Sequence, residues 1–139
     1  MTQSNHSSAT TTPATVYFDG GCPLCRREIA FLEKRAEPGH LRFEDVSATV
    51  AEDALGSDLD RCDALKRMHV READGTLVSG ARAFLVMWKA VPAARPFVRV
   101  LSVPPFPTLL EGAYRVFLKL RPALQWFARR GEQKAARST

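Results

Sequence analysis

Val16-Tyr17-Phe18-Asp19-Gly20-Gly21-Cys22-Pro23-Leu24-Cys25-Arg26-Arg27 passes from an apolar strand, through a glycine turn, into a basic helix that opens on two cysteines. Val16, Tyr17 and Phe18 favour the extended conformation and are bounded by a turn signal. Gly20 and Gly21 reach backbone angles that other residues resist. Pro23 suits the first helical position, where no backbone donor is needed. Cys22 then falls at the helix mouth, and Cys25 one turn inside.

That placement bears on reactivity. Free N–H groups and the helix dipole favour negative charge at a helix start. A free cysteine titrates at about 8.5, and helix-mouth Cys-x-x-Cys sites bring this down to roughly 3.5–7.5. Arg26 and Arg27 add positive charge and are expected to tune the site, while Gly20, Gly21 and Pro23 shape it. Cys25, Ile29, Leu32 and Ala36 recur at helical spacing and form one stripe, with Leu24 and Phe31 alongside. Cys25 is therefore expected to be shielded and Cys22 presented to solvent. In this division Cys22 attacks a disulfide and Cys25 resolves the mixed disulfide. Asp19 has two candidate roles, to fix the turn through its own backbone bonds or to handle the Cys25 proton.

A structural zinc site needs four ligands. The remaining candidates, Cys62, His6, His40 and His69, are scattered without ligand spacing. Metal binding through the pair, or an inert structural pair, stays as an alternative to the preferred redox pair. No metal or organic cofactor is expected.

The chain has 139 residues, enough for one domain with a core. Hydrophobic residues make up 45% and charged residues 25%, the composition of an ordinary globular protein. No apolar run is long enough to cross a bilayer. The first residues are rich in Ser and Thr and lack the apolar centre of a secretory signal. A cytoplasmic, reducing location is expected, where a cysteine pair is more often catalytic than a staple. The net charge of +5 comes with no nucleic-acid motif, so a solvated surface is preferred to nucleic-acid binding.

Residues 1–13 read as a disordered segment. A strand over Ala14 to Phe18, a helix over Pro23 to Glu37 and a strand over Leu41 to Val46 follow, the two strands parallel across the helical crossover. Residues 47–67 are less clear, with Asp58 as cap of a helix from Leu59 to Lys66 and Cys62 as a small buried residue. A strand over Arg67 to Glu72 turns at Asp74-Gly75 into Thr76 to Val78, then a helix over Ala81 to Val91. His69 reads as a surface or half-buried strand residue. Residues 14–91 make a thioredoxin-like α/β core, with a central sheet of about four strands and flanking helices.

Residues 92–130 extend that core with helices over Arg95 to Leu101, Thr108 to Leu120 and from Pro122 to about Arg129; residues 131–139 form a flexible tail. Leu109, Ala113, Val116, Phe117 and Leu120 share one face of the middle helix. A packed extension is preferred to a membrane-surface patch, for which Trp126, Phe127, Arg129 and Arg130 would be suited.

The stretch Tyr17 to Cys25 resembles the signature of the DCC family of thiol-disulfide oxidoreductases, named for its Asp-x-x-Cys-x-x-Cys pattern. The resemblance continues through Phe31-Leu32-x-x-Arg35, Phe43, Asp74-Gly75 and Gly80-Ala81-x-Ala83-Phe84, and ends weakly near Tyr114 and Arg121. It spans roughly residues 14–121 and implies a thioredoxin-like fold with Asp19, Cys22 and Cys25 as the functional trio. Cys-Pro-x-Cys is also similar to glutaredoxin sites, which place a cis-proline before the third strand to align a substrate backbone. Leu65-Lys66-Arg67-Met68-His69 holds no proline, so Arg67 or Met68 is expected to face the site. The expected partners are protein or small-molecule disulfides or thiols, with glutathione or a thioredoxin-type reductant for recycling. A thioredoxin-like binding module without enzymatic activity is the other class.

Overall fold

Strand β1 (Ala14–Phe18) buries Val16 on one face and Tyr17 on the other, the alternation of a central strand. The computed structural model describes residues 12–48 and 55–138. β2 (Leu41–Asp45) runs parallel to β1, with Phe43 opposite Val16. β3 (His69–Arg71) lies antiparallel on the other side, with Val70 opposite Val16. β4 (Leu77–Ser79) pairs antiparallel with β3 and completes the order β2-β1-β3-β4. Gly75, at a φ of 90°, makes the hairpin turn between them.

Helix α1 (Pro23–Arg35) is the crossover between the parallel strands, and Ile29 and Leu32 are its buried residues on the expected stripe. α3 (Ala81–Lys89) packs on the same face, contributing Ala83 and Met87. Val16, Val70, Ile29, Leu32 and Met87 are the centre of that cluster. Tyr17, Val46, Leu55, Leu59 and Ala64 form a smaller cluster on the other face. Burying one such large apolar side chain contributes about 1.5–3 kcal/mol. The architecture is thioredoxin-like, with a helical C-terminal extension.

Several local expectations change. Helix α2 (Arg61–Lys66) is capped by Asp60, which accepts the Asp63 N–H at 2.9 Å. Asp58 instead binds Arg71 at 2.6 Å. Cys62 is exposed rather than buried, because α2 turns Ala64 inward. His69 is buried, with Nδ1 2.8 Å from the Arg67 carbonyl oxygen. Residues 1–11, most of the expected disordered segment, lie outside the described residues, as do residues 49–54 of the unclear stretch.

The extension departs furthest. The expected helix over Arg95–Leu101 is α4, entered through a 3-10 turn (Pro92–Ala94). Beyond it runs one helix, α5 (Phe106–Arg137), with Pro122 inside it. The expected break at Pro122 and loose stretch after Gly131 are both replaced by continuous helix. Proline removes a backbone donor and crowds the preceding turn. Here tertiary contacts on both sides hold the helix: Tyr114 and Arg121 before the proline, Arg129 and Glu132 after it. The inward face also differs. Tyr114 is buried, while Leu109, Val116 and Leu120 are exposed. No helix among the described residues is long and apolar enough to cross a membrane.

Candidate active site

The turn between β1 and α1 is set by two carboxylates. The Gly21 N–H donates to Asp19 Oδ1 and the Gly20 N–H to Asp45 Oδ1, both at 2.9 Å. Asp45 is held in turn by the Ser47 N–H and hydroxyl. A Cβ on Gly20 would run into the Asp45 carboxylate, so close approach demands glycine there. Asp45 was visible in the sequence only as a strand residue; nothing local marks it as the clamp on Gly20.

This turn delivers Cys22 to the N-cap of α1, with its N–H donating to the Asp19 carbonyl at 3.1 Å and Pro23 beginning the helix. Cys22 and Cys25 lie 3.2 Å apart, both as free thiols. Their proximity is as expected; their exposure is not. Cys22 is 1% exposed, whereas Cys25 is only partly buried. Cys22 nevertheless belongs to neither apolar cluster. Helix α5 reaches this turn: Arg129 Nη2 donates to the Gly21 carbonyl at 3.4 Å, and Arg121 Nη2 approaches the Cys25 sulfur at 3.9 Å. Helix α5 thus lies across the helix mouth that the sequence left open. Cys25, the less buried of the two, lines a cleft.

The two thiols share one charge. The Cys25 thiol, hydrogen-bonded to the Cys22 sulfur, does most to bring Cys22 down to a pKa of about 4. Burial opposes this, and the Cys25 backbone N–H, Gln125 and Arg121 assist. Cys25 is pushed up far beyond the ordinary thiol range, first by that same bond to Cys22, then by burial and by the Cys22 charge. Both shifts favour the negative charge on Cys22 and the proton on Cys25.

The cation at this pair is Arg121. Its Nη2 lies 3.3 Å from Asp19 Oδ2 and 3.9 Å from Cys25 Sγ. Its Nη1 donates to the carbonyls of Leu65 and Lys66 at 3.3 and 3.2 Å. Arg26, expected to tune the thiols, donates to the Gly20 carbonyl at 2.9 Å and pairs with Glu132 at 3.2 Å, tying the turn to α5. Arg27 is exposed on α1. The guanidinium expected from α1 is therefore supplied by α5. The sequence signal for it was the weak end of the family resemblance, at Tyr114 and Arg121. Asp19 fixes the turn through Oδ1, the first of its candidate roles, and its Oδ2 lies on Arg121.

A cleft of about 350 Å³ opens beside Cys25, between α1, the segment before β3, and α5. Arg67 and Met68 both line it, as expected where no proline is present. The Met68 N–H donates to the Tyr114 hydroxyl at 3.1 Å, so α5 occupies that backbone donor. Glu28 faces the cleft too; burial raises its pKa, and Trp88 Nε1 donates to it at 2.9 Å. Among the described residues no group of three or more His, Cys, Asp or Glu side chains could hold a metal ion.

No solved structure matches the chain. A protein of Arabidopsis thaliana named "Uncharacterized protein At5g50100, chloroplastic" is 30% identical over 105 residues, which cover 75% of this chain and 49% of the relative. The chain thus spans about half the length of that relative. The family profile of DCC1-like thiol-disulfide oxidoreductases matches residues 16–127. That match takes in the glycine turn, both cysteines and the α5 arginine beside them, and the chain belongs to the DCC1-like thiol-disulfide oxidoreductase family.

Proposed function

We propose that the protein carries out dithiol–disulfide exchange through Cys22 and Cys25, with Asp19 and Arg121 setting the charge at the pair. The observation that carries this reading is the 3.2 Å approach of the two cysteines at the start of α1, close enough for each to push the other's ionisation in the opposite direction. A low-pKa thiolate beside a protonated partner is the state from which exchange begins. Toward a disulfide that reaches Cys22 when α5 is drawn aside, Cys22 is the nucleophile and Cys25 the resolving thiol. Residues 14–91 form the redox core, and residues 92–130 belong to the same domain and supply its cover.

The substrates are thiols or disulfides, with glutathione or a thioredoxin-type reductant completing the cycle; neither cofactor nor nucleic acid takes part. The free thiols, Cys62 on the surface among them, suit a reducing cytosol. The test is insulin disulfide reduction with a dithiol reductant. Wild-type protein should accelerate it, and Cys22→Ser and Cys25→Ser should each abolish the acceleration. Equal rates for wild type and Cys22→Ser would refute the reading.

A further inference from the structure

Cys22 and Cys25 are not equally placed to meet a small molecule. Cys22 is sealed at 1% exposure, while Cys25 lines the 350 Å³ cleft. The cleft walls near Cys25 are Leu24, Phe84, Phe117, Leu118 and Leu124. The cations that line it are ion-paired, Arg121 with Asp19 and Arg67 Nη2 with Glu111 at 2.7 Å, while Arg67 Nε is buried without a partner. Asp19 and Glu28 line the same space. Such a lining, mostly apolar and with both its arginines already ion-paired, admits an apolar body more readily than an anionic one, whose charge would be stripped of water.

We infer that the cleft beside Cys25 is a binding site for small apolar thiols and dithiols, which react at Cys25 and expel Cys22. This inference rests on the redox reading of the pair and reverses the order of the sulfurs for this class of substrate. Starting from the Cys22–Cys25 disulfide, a substrate thiolate attacks Cys25 Sγ. A bond forms between substrate sulfur and Cys25, the Cys22–Cys25 bond breaks, and its electron pair leaves on Cys22. The second thiolate of a dithiol then attacks the substrate sulfur held on Cys25, closing the substrate disulfide and releasing Cys25, which takes up a proton. Two electrons pass from substrate to protein. Of the two substrate protons, one ends on Cys25 and one is released, because Cys22 stays ionised. A stabilised leaving thiolate speeds the first step, and stabilising the dithiol form favours oxidation of the substrate.

The test uses the full chain with the pair oxidised, and two probes: benzyl mercaptan and glutathione. Each rate is divided by that of the same thiol with a small model disulfide, which removes intrinsic nucleophilicity. Benzyl mercaptan should show at least a tenfold advantage. After acid quench, alkylation and peptide mapping, the benzylthio group should sit on Cys25 and the alkyl group on Cys22. Leu118→Trp, which narrows the cleft, should bring the advantage down toward unity. A benzylthio group on Cys22, or equal normalised rates in the wild type, would overturn the inference while leaving the redox reading intact. No reaction with either thiol would overturn both.

Discussion

Arg121 reaches Asp19 across 102 positions of sequence, its Nη2 3.3 Å from Asp19 Oδ2, and the contact is made beside the two sulfurs. The first turn of the site and the last helix of the fold are thereby one electrostatic unit. Arg121 is well buried and also serves two backbone carbonyls before β3.

Replacing Arg121 with Met should therefore act on charge and on stability together. Losing a nearby cation raises a thiol pKa. Leaving Asp19 and the Leu65 and Lys66 carbonyls without their donor should cost about 1–3 kcal/mol. Ultraviolet absorbance of the thiolate against pH reads the first effect, and urea denaturation the second. An unchanged thiolate titration would remove Arg121 from the site.

The reduced protein should gain stability as pH rises. Cys22 ionises near 4 in the fold, against about 8.5 in an unfolded chain. Between those values the unfolded chain binds the extra proton, so stability grows with pH and is lost as pH falls through about 4. Above the unfolded value the trend turns over, because Cys25 stays protonated in the fold while its unfolded counterpart ionises. The stability difference between wild type and Cys22→Ser, measured under reductant at several pH values, should widen from acid to neutral. A flat difference would contradict a buried thiolate.

Gly20→Ala should destabilise the fold by about 1–3 kcal/mol, the range of an overpacked site, since its Cβ would collide with the Asp45 carboxylate. The same change in an Asp45→Ala background should cost less. A double-mutant cycle in urea measures the coupling; strict additivity would mean that the turn tolerates a side chain by some other route.

Arg129 and Glu132 fasten the C-terminal part of α5 to the turn and to Arg26. These are exposed contacts, each worth about 0.2–1 kcal/mol. Removing both, as Arg129→Ala with Glu132→Ala, should raise the rate of Cys22 alkylation by a few-fold, with the fold intact by circular dichroism. An unchanged rate would mean that the cover over Cys22 opens elsewhere.

Much of this was legible without coordinates. β1, the glycine turn, Pro23 and the α1 stripe are near-neighbour features, and each propensity agrees with the next. The parallel pairing of β1 with β2 follows from a helical crossover. Asp74-Gly75 marks its hairpin by turn chemistry alone. A cap is not settled by locality alone: Asp58, the expected cap, is drawn to Arg71 on another element, and Asp60 caps α2 instead. Cys62 misled for a similar reason, since a six-residue helix with one buried residue leaves its phase to tertiary contact.

Sequence alone established a thioredoxin-like core and a cysteine pair at a helix start, because backbone propensity and apolar period act between residues a few positions apart. Tertiary structure decided which sulfur is covered, which arginine charges the site and how far α5 runs. Those outcomes depend on a helix docking against a turn about a hundred residues earlier. Its contacts outweigh both the helix-breaking tendency of Pro122 and the exposure that a helix mouth would otherwise give Cys22.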